Sequence, residues 1–206
     1  MVLAAVAILV AALLGGCDLK SGSSLESSGT PDPVWMQKRL AALRKENSQL
    51  EARIDKLLPK EPYIVINTTL NRLYLRKGSE VVLEAVCSTG SNSELVTPDG
   101  RHRWFFSTPR GVYRIGQRVK DPVWVRPDWS FVELGEPIPP PGSKLRFEEG
   151  MLGSYAMHFG DGYMIHGTPF KMLLGNNVTH GCVRMGDDDL DVVWKATRSG
   201  TPVYLF

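Results

Sequence analysis

Hydrophobic and polar positions change pattern several times along the chain. Residues 2–14 are uniformly apolar and run into Leu14-Gly15-Gly16-Cys17. A helix of that length, at about 1.5 Å per residue, reaches roughly 20 Å, short of a hydrocarbon core of about 30 Å. The segment 1–16 therefore reads as a signal peptide whose small residues precede a cut site; an uncleaved anchor is the other reading. Residues 17–33 are polar and Ser/Gly-rich, too poor in apolar side chains to bury a core, and read as a flexible tether.

Over 34–58 the apolar period becomes seven. Met36, Leu43, Leu50 and Leu57 recur at that interval, and Leu40, Asn47 and Ile54 follow the first three by four residues, an a/d heptad seam. Asn47 at an a position favours a parallel pair, but the flanking charges oppose it: Arg39 would face Arg44, and Glu46 would face Glu51. An antiparallel pair would set Arg44 near Glu51 and Glu46 near Arg53. A single amphipathic spacer helix of roughly 37 Å is the simpler alternative.

From residue 61 the period falls to two. YIVINTTLNRLYLRKGSEVVLEAVCSTG predicts three strands turning at Asn71 and Lys77-Gly78, and GVYRIGQRV predicts another. Prolines in 133–144 remove backbone donors and predict a surface loop able to border a cleft. SYAMHFG and GYMIHG predict a hairpin around Gly160-Asp161-Gly162. DDDLDVVWKATRSG, 187–200, predicts a short helix with Asp in its first turn and Gly200 past its end; TPVYLF predicts a closing strand. The region 61–206 is thus expected to be mainly β with one short helix, a sandwich or barrel-like arrangement. The composition is that of a globular protein: 43% apolar and 22% charged residues with a net charge of +2. There is no basic run and no zinc-type Cys/His spacing, so neither nucleic acid nor a metal is expected.

Candidate chemistry concentrates in MIHGTPFKMLLGNNVTHGCVRM, residues 164–185. Acyl transfer through a thiol needs a cysteine, an imidazole in reach, a group to hold that imidazole, and donors for the oxyanion. His166 ends a predicted strand, and Cys182 lies sixteen residues on, after a Gly-rich excursion long enough to return beside its origin. Gly181 allows a tight backbone turn at Cys182. Cys87, late in an apolar strand, reads as core; it is also the intrachain disulfide partner left to Cys182. His102 and His158 have no partner by spacing, and His158 reads as structural. Trp104, Trp124 and Trp129 read as core or loop packing, with a glycan-facing groove as the alternative.

IHGT followed by THGCVRM resembles the active-site signature of the bacterial L,D-transpeptidases, and the resemblance runs from about residue 62 to 206. CSTG (87–90), TPRG (108–111), PPPG (139–142) and GTPV (200–203) fit as well, with Thr179 standing where many members have Ser. The resemblance implies an L,D-transpeptidase-type β-sandwich or barrel and a cysteine acyltransferase without cofactor. Cys182 would be the nucleophile. His166 would be the base, held by the Gly167 carbonyl, and the Gly181 and Cys182 N–H groups would form the oxyanion hole. His180 and Arg184 would shape the site or hold the stem carboxylate, and Thr179 would orient the loop. The substrates would be peptidoglycan stem peptides: the thiolate attacks the third residue of a tetrapeptide, D-Ala leaves, and an amine of a second stem or a protein lysine takes the acyl group. Hydrolysis at the same site is the first alternative, and a non-catalytic envelope spacer the second.

Cys17, directly after the small residues, resembles the lipid-bearing cysteine of bacterial lipoproteins, and Asp18 resembles an inner-membrane retention signal. That implies a lipid-anchored protein of the cell envelope or periplasm, with self-association through 34–58 as a further expectation.

Overall fold

The computed structural model describes residues 32–206. The expected signal peptide, Cys17 and most of the tether lie outside the described residues.

Helix α1 spans Pro33–Leu57. Proline is tolerated as its first residue because that N–H has no intrahelical partner, and Asp32 Oδ1 accepts the Val34 N–H at 3.0 Å as the cap. The seam side chains Met36, Leu40, Leu43, Leu50 and Ile54 are exposed along it.

In the β-rich region, β1 (Pro62–Asn67), β2 (Arg72–Lys77) and β3 (Glu80–Gly90) form the expected meander. Alternation drives it: Ile64 and Ile66, then Leu73 and Leu75, bury one face completely. Fully burying such a side chain is worth about 1.5–3 kcal/mol. Asn71 turns the chain at φ 52° and Gly78 at φ 56°, a region these two residue types tolerate best.

β4 (Glu94–Val96) and β5 (Arg103–Phe105) pair as a separate hairpin. GVYRIGQRV, expected as one strand, is two: β6 (Gly111–Arg114) and β7 (Arg118–Lys120). Between them Ile115 N–H bonds Thr201 O at 2.9 Å and Gly116 N–H bonds His158 O at 2.7 Å, so the run changes partner strand. An insertion follows, with β8 (Trp124–Val125) paired to β9 (Phe147–Glu148) around helix α2 (Asp128–Glu133). α2 corrects the expectation of one short helix; six residues are too few to display a helical period.

β10 (Tyr155–His158) and β11 (Met164–His166) make the predicted hairpin. β12 (Asn177–Thr179), β13 (Val183–Met185), helix α3 (Asp187–Ala196) and β14 (Pro202–Leu205) complete the chain. α3 stops short of the expected 200 because Thr197 is extended, its Oγ1 donating to Val193 O at 2.7 Å. Among the described residues the main sheet runs β6-β14-β1-β2-β3-β13-β11-β10-β7, with β12 added against β3. Laid flat, that path would be roughly 38 Å wide at about 4.8 Å per step. Its outer strands β6 and β7 are joined only by Ile115–Gln117, which reach at most about 14 Å. The sheet must therefore curl until its edges approach. Its concave face holds Leu73, Cys87, Met157, Ile165, Val183, Met185 and Val203, with Leu190 and Val193 of α3 in the same core.

Candidate active site

β11 and β13 run parallel, with Ile165 opposite Val183 and His166 opposite Arg184. Period-two alternation sends Ile165 and Val183 into the core, both fully buried. Met164, His166, Cys182 and Arg184 take the other face and line a cavity of about 660 Å³. The excursion between them is tied back at Asn177, whose Nδ2 donates to Thr89 Oγ1 at 2.9 Å and whose Oδ1 accepts from Asn71 at 2.9 Å.

His166 is 4% exposed, and its Nδ1 lies 2.6 Å from Gly167 O. A carbonyl only accepts, so Nδ1 carries the proton and Nε2 keeps its lone pair. Burial pushes the imidazole down to about 4; the bond to Gly167 opposes this and the Arg184 charge adds to it. The ring is therefore neutral near pH 7. Residue 167 must be glycine because the 152–153 backbone crosses it closely. Gly167 N–H bonds Leu152 O at 2.8 Å, and a Cβ at 167 would lie 2.9 Å from Gly153 Cα.

Cys182 is half-buried at the cavity wall and free, as is buried Cys87, so the two form no disulfide. Burial raises the Cys182 thiol above its ordinary value, opposed by the Met164 N–H and the Arg184 charge. Cys87 is pushed up to about 12 by burial in the core. Gly181 has φ 121°, and a Cβ there would sit 2.6 Å from the Tyr163 ring. Thr179 Oγ1 donates to Cys182 O at 2.6 Å and accepts the Gly181 N–H at 3.1 Å. That second bond occupies one of the two N–H groups expected as oxyanion donors. A hydroxyl two residues upstream claims the Gly181 N–H in a side-chain turn.

Arg184 is half-buried and desolvation lowers its pKa; a thiolate at Cys182 would oppose this. His180 Nε2 lies 2.9 Å from Glu133 Oε2, and its ring stacks on Trp129 with centroids 3.9 Å apart. The insertion is thus fastened to the residue two before the cysteine. Burial lowers the His180 pKa and Glu133 opposes this.

Trp104, Trp124 and Trp129 line the cavity, and Trp129 also packs on Phe106, Trp124 and His180. His158, read as structural, lines it too. The missing signal for His158 was register: it pairs with Met164, and Ala156 with His166, which puts its side chain on the site face. The cavity is bordered by Pro122–Trp129 and not by the proline loop, of which only Glu133 reaches the site, through His180. Among the described residues no group of three or more His, Cys, Asp or Glu converges as metal ligands.

The model of the YkuD family, an L,D-transpeptidase catalytic domain, matches residues 61–205. Probable L,D-transpeptidase YbiS of Escherichia coli K12 is 29% identical over 147 residues, 68% of this chain and 43% of that protein. Putative L,D-transpeptidase YqjB of Bacillus subtilis 168 is 25% identical over 150 residues, 72% of this chain and 73% of that protein. The chain thus spans less than half the length of YbiS. An L,D-transpeptidase crystal structure from Xylanimonas cellulosilytica shares the fold, with a TM-score of 0.53 at 20% identity over 72% of this chain and 62% of that one. So the curled sheet, the paired β11 and β13 and the loop between them sit in a recognised domain: the chain belongs to the YkuD family of L,D-transpeptidase catalytic domains.

Proposed function

We propose that residues 61–206 form a catalytic domain that transfers peptidoglycan stem peptides through a thioester on Cys182. The observation that carries this is one cavity shared by a thiol, an anchored neutral imidazole and a guanidinium with no carboxylate partner among the described residues. Thiol and base both start neutral, so His166 Nε2 takes the Cys182 proton as Sγ attacks the carbonyl of the third stem residue. The Cys182 N–H receives the developing oxyanion. The C–N bond to terminal D-Ala breaks, the imidazolium returns its proton to the leaving amine, and the thioester remains. An amine of a second stem or of a protein lysine attacks the thioester, giving its proton to His166, and the thiol is regenerated. Arg184 suits the stem carboxylate through its paired N–H donors. His180 and Thr179 shape the loop, and no cofactor enters the scheme.

For the whole chain we infer a lipid-anchored envelope protein: signal peptide 1–16, lipid on Cys17, tether 17–33 and spacer helix 34–58, with Asp18 directing inner-membrane retention. The exposed seam on α1 supports self-association as an antiparallel pair, which sedimentation of the full chain would test against a monomer.

The decisive experiment is mass spectrometry of products after purified full chain meets a disaccharide-tetrapeptide, beside Cys182→Ala. Cross-linked dimer from the unaltered protein alone is the expected result. Tripeptide without dimer would replace transfer with hydrolysis, and no turnover would leave a non-catalytic spacer.

A further inference from the structure

We infer that Thr108 is a positioning residue for the oxyanion donor: its hydroxyl holds the Gly181 carbonyl so that the Cys182 N–H faces the substrate. The inference rests on Cys182 being the nucleophile.

The hydrogen bonds leave the hydroxyl one arrangement. Gly90 N–H reaches Thr108 Oγ1 at 2.8 Å, and a backbone N–H can only donate, so Oγ1 accepts there. Its own proton then goes to Gly181 O, also at 2.8 Å. Thr108 is only 9% exposed, and water competes little for either bond. The threonine cannot drift away from Gly90 or crowd it. A Cβ on Gly90 would lie 2.6 Å from Thr108 N and 2.5 Å from Phe106 O, so the two backbones are in direct contact.

Planarity carries the effect to the site. Gly181 O and the Cys182 N–H belong to one trans peptide and point in opposite directions. Thr108 lies behind the loop, on a small recess it shares with Thr89, Gly90 and Asn177, while Cys182 lines the catalytic cavity. Anchoring the carbonyl to the rear therefore turns the N–H to the front. The anchor is needed because Gly181, at φ 121°, has no Cβ to resist rotation of this peptide. The rotated peptide would aim a carbonyl oxygen at the developing oxyanion. The Gly181 N–H cannot substitute, being held by Thr179 Oγ1 at 3.1 Å.

The test separates acylation, which builds an oxyanion, from alkylation, which does not. Purified full chain and its Thr108→Val, Thr108→Ala and Thr108→Ser variants are each treated with a carbapenem and, separately, with iodoacetamide. Mass spectrometry follows modification of Cys182. Thr108→Val and Thr108→Ala should acylate up to about 10²-fold more slowly, the scale of losing one oxyanion donor. Their alkylation rates should stay within about threefold, and Thr108→Ser should restore acylation. If Thr108→Val does not fold, the Ala and Ser variants carry the comparison. Equal losses in both reactions, unchanged acylation in Thr108→Ala, or failure of Ser to rescue would each overturn the inference. An unaltered protein that alkylates at Cys182 but is never acylated would instead overturn the nucleophile assignment beneath it.

Discussion

The Nδ1 atom of His166 stands 2.6 Å from the carbonyl oxygen of Gly167, the next residue in the chain. An imidazole held by its own neighbour needs no carboxylate to orient it, and burial keeps it neutral, with a pKa of about 4. Acylation of Cys182 by a carbapenem should therefore hold its rate from pH 7 down to about 5. It should then fall roughly tenfold per pH unit below about 4. An acid limb near 6.5 would contradict the buried, uncompensated imidazole.

The same shift couples folding to pH. The folded value is depressed from the ordinary 6.5 to about 4, so the unfolded chain takes up this proton first as pH falls. The stabilisation is full above about 6.5 and is lost progressively as pH falls through about 4. The gap between the two values is worth about 3 kcal/mol. Urea unfolding between pH 7 and 4 should show a steeper loss in the unaltered protein than in His166→Gln. Parallel curves would refute it.

Much of this site was legible beforehand because its parts are local. A period-two run ending in IHG places His166, and Gly181 before Cys182 marks a tight turn. The Gly167 carbonyl, which the family resemblance implied as the anchor, is adjacent in sequence. Long-range register was not legible. His158 faces the cavity only because it pairs with Met164, and Trp124 and Trp129 do so only because an insertion folds over the loop. GVYRIGQRV reads as one strand since nothing in it announces that Ile115 and Gly116 bond to two different parts of the sheet. The engagement of the Gly181 N–H by Thr179 is likewise a matter of rotamer, which residue identity alone does not specify.

Cys182 and Cys87 should differ sharply as thiols. Cys182 lines an open cavity, whereas Cys87 is fully buried with its pKa pushed up to about 12. Iodoacetamide followed by peptide mass spectrometry should label Cys182 in native protein and Cys87 only after denaturation. Burial also raises Cys182, so its labelling rate should still be climbing at pH 9. A plateau below pH 7 would mean a preformed thiolate and a different first step.

Arg184 should discriminate substrates by their terminal carboxylate. Arg184→Ala should raise KM for a tetrapeptide with a free carboxylate by about 10- to 100-fold, the scale of a charge-assisted hydrogen-bonded pair. The carboxamide analogue should change far less, and Arg184→Lys should rescue poorly because an ammonium lacks the paired donors. Equal effects on both substrates would assign Arg184 to the electrostatics of Cys182 and His166 instead.

Gly167 offers the sharpest structural test, because its two possible reasons for being glycine predict different costs. A glycine needed only for a positive φ, such as Gly135 at φ 68° with open space around it, should lose about 1 kcal/mol on substitution by Ala. Gly167 has an ordinary φ but meets backbone: its Cβ would lie 2.9 Å from Gly153 Cα and 3.2 Å from Leu152 O. Backbone cannot swing aside as a flexible side chain can. Gly167→Ala should therefore cost about 2–3 kcal/mol in urea unfolding. It should also slow acylation of Cys182, since the displaced segment carries the carbonyl that holds His166. A Gly167→Ala protein as stable as Gly135→Ala, with full acylation, would show that the 152–153 crossing yields easily and that His166 does not depend on it.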